Sequence, residues 1–426
     1  MSSILSRNSA LRGLLDQHLA TLAEEEDLAP ETIISAIENG TMVLLGNPAH
    51  PALKPVLIGQ SARVKVNANL GTSPLSSCME TERRKLATVL EAGADTVMDL
   101  SIAGDLDGIR TAMLADCPRP LGTVPMYAVG QQILDAGHEI SSMTPDMLFD
   151  EIAKQARQGV DYITVHCGLT RRGAELGDRP ERVMGIVSRG GSMLARWMLD
   201  NDRENPLLEH FDRLLDICLP YNVTLSLGDG LRPGAGADAG DAAQWEEVIT
   251  LGLLAARAHA RGVQCMIEGP GHMPLDMVRS QIQGIKRLTQ DAPLYVLGPL
   301  CCDSAPGYDH IAGAIGGALA VEAGADFLCY LTPAEHLTLP DEADARAGVM
   351  ASRVAAHAGE VALRRPRAMV REASMNAARK ALDWEGMARA ALDPSQVEKR
   401  REPHKQEEAC AMCGKFCAVK MLRRNG

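Results

Sequence analysis

Short apolar runs alternate with amphipathic stretches between residues 63 and 340. Each run is rich in β-branched or other apolar side chains, and most are followed by apolar positions at helical spacing. Nine runs are predicted strands: Val64–Ala68, Thr96–Leu100, Gly122–Pro125, Tyr162–His166, Gly185–Val187, Val223–Leu227, Gln264–Ile267, Leu294–Leu297 and Phe327–Tyr330. Predicted helices between them include Glu80–Ala92, Pro145–Gln158, Asp241–Arg261 and Met277–Thr289. This alternation is typical of a parallel sheet with helical crossovers.

The number of repeats favours an α/β fold with a closed (β/α)8 barrel of the TIM type. Eight strand–helix units close into such a barrel, so one of the nine runs is expected to be an extra piece. A doubly wound open sheet is the competing architecture, but no G-x-G-x-x-G pattern follows the first strand. We expect a helical segment over residues 1–60, the barrel over 61–340 and a helical extension over 341–426.

Composition narrows the class of protein. The 426 residues are 46% hydrophobic but only 3% aromatic, and the net charge is −12. An acidic chain of this kind is not expected to bind nucleic acid or a membrane surface. It contains no long uncharged apolar run and no secretory leader pattern, which predicts a cytoplasmic protein without a membrane span. Eleven cysteines, an odd number, favour metal or catalytic use over a disulfide framework.

Three of these cysteines lie close together near the C-terminus. Cys410-Ala-Met-Cys413 is followed after three residues by Cys417. Three thiolates can hold a 4Fe–4S cluster and leave one iron open for S-adenosylmethionine, whose reductive cleavage gives a 5′-deoxyadenosyl radical. A zinc site with His404 as the fourth ligand is the alternative that spacing leaves open.

Almost every predicted strand ends in residues capable of chemistry, where barrel enzymes place their active sites. Glu268 and His272 share a glycine-rich loop, and His336 follows the last strand. Two histidines on neighbouring strand ends predict a divalent metal site, unless both are ordinary loop histidines. Ser188–Gly191 and Asp229–Gly234 each combine an arginine with glycines, a pattern suited to phosphate.

Several sequence motifs, taken together, identify a family more specifically than any one of them does alone. Those that carry a family resemblance are Lys65–Thr72, Gly93–Ser101, Gly122–Pro125, Ser188–Gly191, Ser226–Pro233, Glu268–His272, Ala305–His310 and Cys329–His336. On these motifs the chain resembles the phosphomethylpyrimidine synthase (ThiC) family, an atypical radical S-adenosylmethionine group.

The resemblance implies a substrate, cofactors and site residues. The substrate would be 5-aminoimidazole ribotide, contacted by Asn69, Met98, Tyr127, His166, Ser188, Arg189, Gly190, Asp229, Gly230, Leu231, Arg232, Glu268 and Tyr295. Catalysis would involve Glu268, His272 and His336, and the two histidines would bind a divalent metal, zinc in the first instance. Cys410, Cys413 and Cys417 would hold the 4Fe–4S cluster that binds S-adenosylmethionine. A homodimer and an electron donor such as flavodoxin or ferredoxin are also implied.

Four departures from the family pattern bear on the product. Three residues rather than four separate the last two cysteines, and the loops Leu45–Pro48, Ser101–Asp105 and Leu300–Asp303 differ from the usual strings. These departures resemble the 5-hydroxybenzimidazole synthase branch, which rearranges the same ribotide to the lower-ligand base of a cobalamin. That reaction is the preferred interpretation of the sequence. Synthesis of the thiamine pyrimidine, 4-amino-5-hydroxymethyl-2-methylpyrimidine phosphate, is the alternative, and a zinc-stabilised non-radical barrel protein is the third hypothesis.

Overall fold

The computed structural model describes residues 3–421, and its internal contacts divide the chain into two compact units, residues 1–359 and 360–426. The strands of the first unit are β1 Met42–Leu45, β2 Val56–Gly59, β3 Lys65–Leu70, β4 Thr96–Asp99, β5 Leu121–Thr123, β6 Tyr162–Val165, β7 Thr224–Leu227, β8 Cys265–Gly269, β9 Leu294–Leu297 and β10 Phe327–Cys329. Its helices are α1 Ile4–Arg7, α2 Ser9–Glu26, α3 Pro30–Glu38, α4 Met79–Ala92, α5 Leu106–Asp116, α6 Pro125–Asp135, α7 Pro145–Gln158, α8 Arg171–Gly177, α9 Arg189–Asn201, α10 Pro206–Glu209, α11 Phe211–Cys218, α12 Ala242–Arg261, α13 Leu275–Leu288, α14 Asp309–Ala323 and α15 Glu342–Ala362, whose last three residues are counted in the second unit.

The predicted barrel is confirmed. Strands β3 to β10 pair in chain order, and all the pairs are parallel. The sheet is closed because Phe327 of β10 pairs with both Tyr295 of β9 and Lys65 of β3. Eight of the nine predicted runs are barrel strands. The ninth, Gly185–Val187, is the extra piece, and it lies in an irregular segment before α9. Just upstream, the amides of Val183 and Met184 donate to the Asp238 carboxylate instead of pairing with a strand.

Capping residues explain why the helices between the strands begin and end where they do. In α7 the Thr144 side chain accepts from the amide of Met147, Pro145 occupies the first turn, and Gly159 ends the helix at φ 106°. In α12 the Asp241 side chain caps the first turn and Gly262 ends the helix at φ 92°. Polar caps satisfy the free amides of a helix start, and glycine adopts the left-handed conformation at its end without strain. Both helices are therefore readable from the sequence.

The N-terminal segment contains an element that the sequence did not predict. After α1, α2 and α3, β1 and β2 form an antiparallel hairpin with Met42 paired to Gly59. Both strands are short, wholly apolar and fully buried. Periodicity cannot distinguish such a run from a buried helical segment, which is why the pattern over residues 1–60 predicts helices alone.

This segment closes the N-terminal end of the barrel. Gln264, immediately before β8, exchanges two hydrogen bonds with the backbone of Leu44 in β1. Asn222, two residues before β7, donates to the carbonyls of Leu44 and Gly46. Asp161, before β6, accepts from the amide of Asn47 at 2.7 Å. These bonds cover that end of the barrel and leave the opposite, C-terminal end of the strands for a functional site.

The second unit is helical. It contains α16 Pro366–Ala381, α17 Trp384–Ala390, α18 Pro394–Arg401 and α19 Ala418–Met421. The Trp384 indole donates to the carbonyl of Glu408 at 3.0 Å, and the Arg401 guanidinium stacks on the same ring at 3.9 Å. The predicted boundaries at 60/61 and 340/341 stay predictions, and residues 422–426 lie outside the described part. Within residues 3–421, the helices are all too short or too polar to cross a bilayer.

Candidate active site

A cavity of about 280 Å³ opens at the C-terminal ends of the barrel strands. Nine of the thirteen residues predicted to contact substrate line it: Asn69, Met98, Tyr127, His166, Arg189, Asp229, Arg232, Glu268 and Tyr295. They come from different strands and the loops after them, as in other barrel sites. Their convergence is what parallel strands in a closed barrel produce, because all strand ends meet at one rim.

The remaining four predicted residues lie just behind the cavity wall. The Ser188 hydroxyl is 3.0 Å from Nε2 of His166 and caps α9. A Cβ on Gly190 would lie 2.3 Å from Cε1 of His166, so a larger residue there would force the imidazole to move. Gly230 packs against Gly191, and Leu231 is fully buried with its amide donating to Glu247. These four shape the wall, whereas the other nine present side chains to the cavity.

The Glu268 carboxylate is held in place by two hydroxyl groups. Thr164 of β6 and Ser226 of β7 both donate to its Oε1, at 2.7 and 2.8 Å. Alternate residues of neighbouring strands point to the same side, so all three side chains enter the barrel together. Oε1 is thereby occupied by the protein, which leaves Oε2 as the oxygen able to meet a ligand.

Asp229 and Arg232 form a charged pair in the cavity wall. Arg232 donates to Oδ1 of Asp229 at 3.2 Å, while Oδ2 is buried and has no hydrogen-bond partner among the described residues. Burial raises the pKa of Asp229 to about 8, against the opposing effect of Arg232. A buried polar atom without a partner is costly, so Oδ2 is a candidate contact for a bound ligand.

Burial also shifts the pKa values of two other residues predicted to contact substrate. Burial lowers the pKa of His166 to about 3, so this imidazole is neutral at physiological pH. The Arg189 guanidinium stacks 4.8 Å from the ring centre of Tyr127, and burial raises the pKa of that tyrosine. The cavity therefore offers the guanidinium groups of Arg189 and Arg232, a neutral imidazole and the Glu268 carboxylate.

Beneath the cavity, the fully buried Asn67 is the centre of a hydrogen-bond network. Its Oδ1 accepts from Tyr162 at 2.8 Å and from Thr96 at 2.9 Å. Its Nδ2 donates to Tyr295 at 2.8 Å and to Asn69 at 2.7 Å. Both donors and both acceptor positions of the amide are thus used. This orients two predicted substrate contacts, Asn69 and Tyr295, from below.

A second cavity of about 240 Å³ adjoins the first, and Asn69, Leu100, Arg189 and Glu335 line both. Burial raises the pKa of Glu335, which is not among the residues predicted from the sequence. The position of Glu335 directly before His336 was the feature of the sequence that could have identified it. The Thr332 hydroxyl, in the wall of the second cavity, is also buried without a hydrogen-bond partner in the described residues.

His272 and His336 lie side by side at the rim, with ring centres 5.2 Å apart. Nδ1 of each ring contacts a carboxylate, Asp303 at 2.8 Å and Asp309 at 3.0 Å respectively. Two imidazoles bound through Nε2 to one tetrahedral ion, at metal–nitrogen distances of about 2.05 Å, have ring centres roughly 5.2 Å apart. The donor set and spacing therefore fit a divalent ion, although no three His, Cys, Asp or Glu side chains within residues 3–421 already form a ligand set.

Comparisons with known proteins identify the family. The chain matches the family described as "Radical SAM ThiC family" over residues 6–424. The chain belongs to the radical SAM ThiC family. Proteins named phosphomethylpyrimidine synthase are similar at 48% identity in Desulforudis audaxviator (strain MP104C), 49% in Desulforamulus reducens (strain ATCC BAA-1160 / DSM 100696 / MI-1) and 47% in Desulfotalea psychrophila (strain LSv54 / DSM 12343). Each alignment covers 97 or 98% of this chain and 96 or 97% of the relative.

The dihydropteroate synthase (folP) of Coxiella burnetii aligns at a TM-score of 0.42 and 11% identity, over 74% of this chain and 96% of that chain, too weakly to support an argument.

Radical SAM ThiC membership gives a 4Fe–4S cluster and S-adenosylmethionine as cofactors, and the C-terminal loop fits the cluster. The amides of Met412 and Cys413 interact with the Cys410 sulfur, and these backbone contacts lower the pKa of the Cys410 thiol. The negative charge on Cys410 in turn raises the pKa of Cys413. Gly414 turns the chain at φ 49°, with its amide 3.4 Å from the carbonyl of Cys410. Backbone donors aimed at a thiolate are what a metal-binding cysteine loop requires.

The loops that depart from the ThiC pattern lie in different places. Asn47, within Leu45–Pro48, donates to the carbonyls of Ala156 and Val160 at the N-terminal end of the barrel, remote from both cavities. Ser101–Asp105 and Leu300–Asp303 follow β4 and β9 at the C-terminal end, and Ile102 lines the second cavity. Only the latter two loops are therefore placed to influence a product. The names of the relatives agree with the alternative drawn from the sequence, the thiamine pyrimidine, better than with the preferred 5-hydroxybenzimidazole.

Proposed function

We propose that the chain is a phosphomethylpyrimidine synthase, which converts 5-aminoimidazole ribotide to 4-amino-5-hydroxymethyl-2-methylpyrimidine phosphate. The observation that carries this proposal is 47–49% identity to proteins of that name over nearly the full length of both chains. Family membership also argues against the hypothesis of a zinc-stabilised, non-radical barrel protein.

The substrate phosphate is assigned to the side of the cavity formed by Arg189 and Arg232. Arg189 is the first residue of α9, a thirteen-residue helix whose early amides include those of Gly190 and Gly191. The amide of Gly191 donates to the Ser188 hydroxyl, so the amides of Arg189 and Gly190 are the ones offered to a phosphate, which the helix dipole also favours. A guanidinium adds charge-assisted hydrogen bonds to the phosphate oxygens.

The imidazole and ribose are assigned to the neutral and acidic groups opposite. Asp229, whose pKa burial raises, has its Oδ2 without a hydrogen-bond partner in the described residues, so this atom is assigned to a polar group of the ribose or the ring. Glu268 keeps Oε2 available to accept a proton, because Thr164 and Ser226 fix its other oxygen. His166 remains neutral and can serve as a hydrogen-bond partner without adding charge.

The cofactor residues follow the family pattern. Cys410, Cys413 and Cys417 would hold the 4Fe–4S cluster, and His272 and His336 would hold a divalent ion, with zinc as the first choice. When bound, the cluster and S-adenosylmethionine would supply a 5′-deoxyadenosyl radical able to remove hydrogen from the substrate. An electron donor such as flavodoxin or ferredoxin, a homodimeric assembly and a cytoplasmic location remain predictions.

A second candidate function is 5-hydroxybenzimidazole synthase, favoured by one local observation. Cys301 and Cys302 directly precede Asp303, whose carboxylate contacts His272. The usual family residues at these two positions are valine and threonine, so the rim of this chain differs from the family pattern next to the proposed metal site. The loop Leu45–Pro48 no longer supports this candidate, because it lies at the opposite end of the barrel.

Product analysis tests the two candidates directly. The full-length chain, reconstituted anaerobically, is incubated with S-adenosylmethionine, dithionite and 5-aminoimidazole ribotide, and the products are read by mass spectrometry. We expect a phosphorylated aminopyrimidine. A hydroxybenzimidazole without phosphate would overturn the proposal and establish the second candidate.

Two variants make the experiment sharper. Cys413→Ala should give neither product nor 5′-deoxyadenosine, which ties turnover to the cluster. A Cys301→Val/Cys302→Thr variant restores the usual family residues at the rim. The same product from this variant and the native chain shows that the cysteine pair does not select the product, whereas a change of product assigns that selection to it.

A further inference from the structure

Both histidines at the rim use Nδ1 to contact a carboxylate oxygen. Nδ1 of His272 lies 2.8 Å from Oδ1 of Asp303, and Nδ1 of His336 lies 3.0 Å from Oδ1 of Asp309. Because a carboxylate oxygen accepts hydrogen bonds, both contacts favour the tautomer with the hydrogen on Nδ1, which leaves Nε2 for a metal ion. Only an unprotonated ring nitrogen can bind a metal ion, which makes Nε2 the ligating atom in both cases.

We propose that Asp303 and Asp309 are positioning residues of a divalent metal centre formed by His272 and His336. Each carboxylate fixes the tautomer of its histidine and the orientation of the ring. The ion is one that accepts imidazole nitrogen, such as Zn²⁺. Carboxylates that accept from the second nitrogen of a metal-bound histidine also raise the basicity of that ligand.

Each aspartate is itself held by a backbone amide. Oδ2 of Asp303 accepts from the amide of Gly236 at 2.7 Å, and Oδ2 of Asp309 accepts from the amide of Gly307 at 3.1 Å. Gly236 follows β7, His272 follows β8, both aspartates follow β9, and His336 follows β10. Loops after four successive strands are thereby joined by two short chains of hydrogen bonds, so the rings are oriented before an ion arrives.

The backbone of His336 supports a functional reason for this arrangement. Its φ of 62° lies in the left-handed region, which is uncommon for a residue with a side chain. Such conformations persist where the surroundings hold them, and they are frequent at functional sites. The contact with Asp309 is one of the interactions that hold the residue in this conformation.

The two aspartates differ in exposure, which predicts unequal effects. The Asp309 side chain is 6% exposed, whereas that of Asp303 is 46% exposed. Water can replace an exposed carboxylate more easily than a buried one, so loss of Asp309 should weaken metal binding more. The inference rests on the proposed function for the role of the ion in catalysis, but metal affinity can be measured without turnover.

The test is the affinity of the full-length chain for Zn²⁺ alone, with the cluster reconstituted so that its cysteines are occupied. Competition with a chromophoric chelator under anaerobic conditions gives the dissociation constant, and iron content and circular dichroism report the cluster and the fold. We expect Asp303→Ala and Asp309→Ala to weaken zinc binding by about 10- to 100-fold, with iron content unchanged. Asp303→Asn and Asp309→Asn keep an oxygen that can accept from Nδ1, so their losses should be smaller.

His272→Ala gives the reference for loss of a ligand, and Asp276→Ala, an exposed residue in the first turn of α13, should bind zinc like the native chain. If Asp309→Ala does not fold, Asp303→Ala and the two asparagine variants still decide the question. Native zinc affinity in Asp303→Ala and in the folded Asp309 variant would overturn the proposal, as would native affinity in His272→Ala. Products are not measured here, so failure of the proposed reaction would leave this result standing.

Discussion

Asp161→Ala should destabilise the protein strongly without changing its chemistry. Oδ1 of Asp161 accepts from the amide of Asn47, and Oδ2 accepts from the amide of Leu121 and from Nδ1 of His50, all at 2.7 Å. The carboxylate and the imidazole are both fully buried. Burial by itself would lower the pKa of His50, but the hydrogen bond and the charge of Asp161 raise it. The variant therefore leaves two amides and Nδ1 of a buried imidazole without their partner, while Nε2 of His50 keeps the carbonyls of Leu114 and Cys117.

The size of the effect follows from what is left behind. Removing one member of a buried ion pair costs about 3–5 kcal/mol, because the other member stays buried. The cost of leaving the two amides without an acceptor is included in that range, because the costs of losing neighbouring interactions do not simply add. For a protein stabilised by roughly 5–15 kcal/mol this is a large fraction of the total.

Equilibrium unfolding in urea, followed by far-ultraviolet circular dichroism, measures this loss. Asp216→Ala is the matched control, because Asp216 is exposed and pairs with Arg261 at the surface, where a salt bridge contributes about 0–1 kcal/mol. His50→Ala/Asp161→Ala should be less destabilised than the sum of its single variants. A loss below about 1 kcal/mol for Asp161→Ala would refute the assignment of this contact as a buried pair that closes the barrel. A changed product would refute the view that this end of the barrel is remote from the chemistry.

Three further outcomes are expected. Cys413→Ala should lose the visible absorption of the cluster and its iron while the circular dichroism of the chain is retained, whereas Cys302→Ala should keep the iron. Asn67→Leu removes four buried hydrogen bonds and should cost about 2–4 kcal/mol in urea unfolding, with a larger fall in kcat than in substrate affinity. Because burial lowers the pKa of His166 from 6.5 to about 3, the unfolded chain binds the extra proton, and stability falls with pH below about 6.5. His166→Gln should therefore flatten the pH dependence of stability between about 6.5 and 3, and an unchanged profile would contradict the buried, neutral imidazole.

Much of the barrel was predictable because its signals are local. Thr144, Pro145 and Gly159 mark the bounds of α7 within the stretch of chain that forms it. The apolar strands followed by polar residues predicted that chemically active side chains meet at one rim, and nine of the contacts that the family resemblance implies line one cavity there. A local pattern is sufficient for such features.

The features that the sequence did not predict depend on contacts between distant residues. Asp161 meets Asn47 across 114 positions, and Gln264 meets Leu44 across 220. Nothing near Asn67 in the chain indicates that its amide bonds Tyr295 in the barrel interior. Asp303 precedes helix α14 and Asp309 begins it, but their pairing with His272 and His336 required the three-dimensional arrangement.

The saturated amide of Asn67 has a consequence for how this barrel can diverge. Every hydrogen-bonding position of that side chain is committed, so the floor of the cavity cannot be reoriented by a single substitution without leaving several buried groups unsatisfied. Ile102, Cys301 and Cys302, in the loops above the floor, take no part in this hydrogen-bond network, so they can be substituted without breaking it. Proteins that keep this floor and vary the rim could bind the same substrate and convert it to a different product.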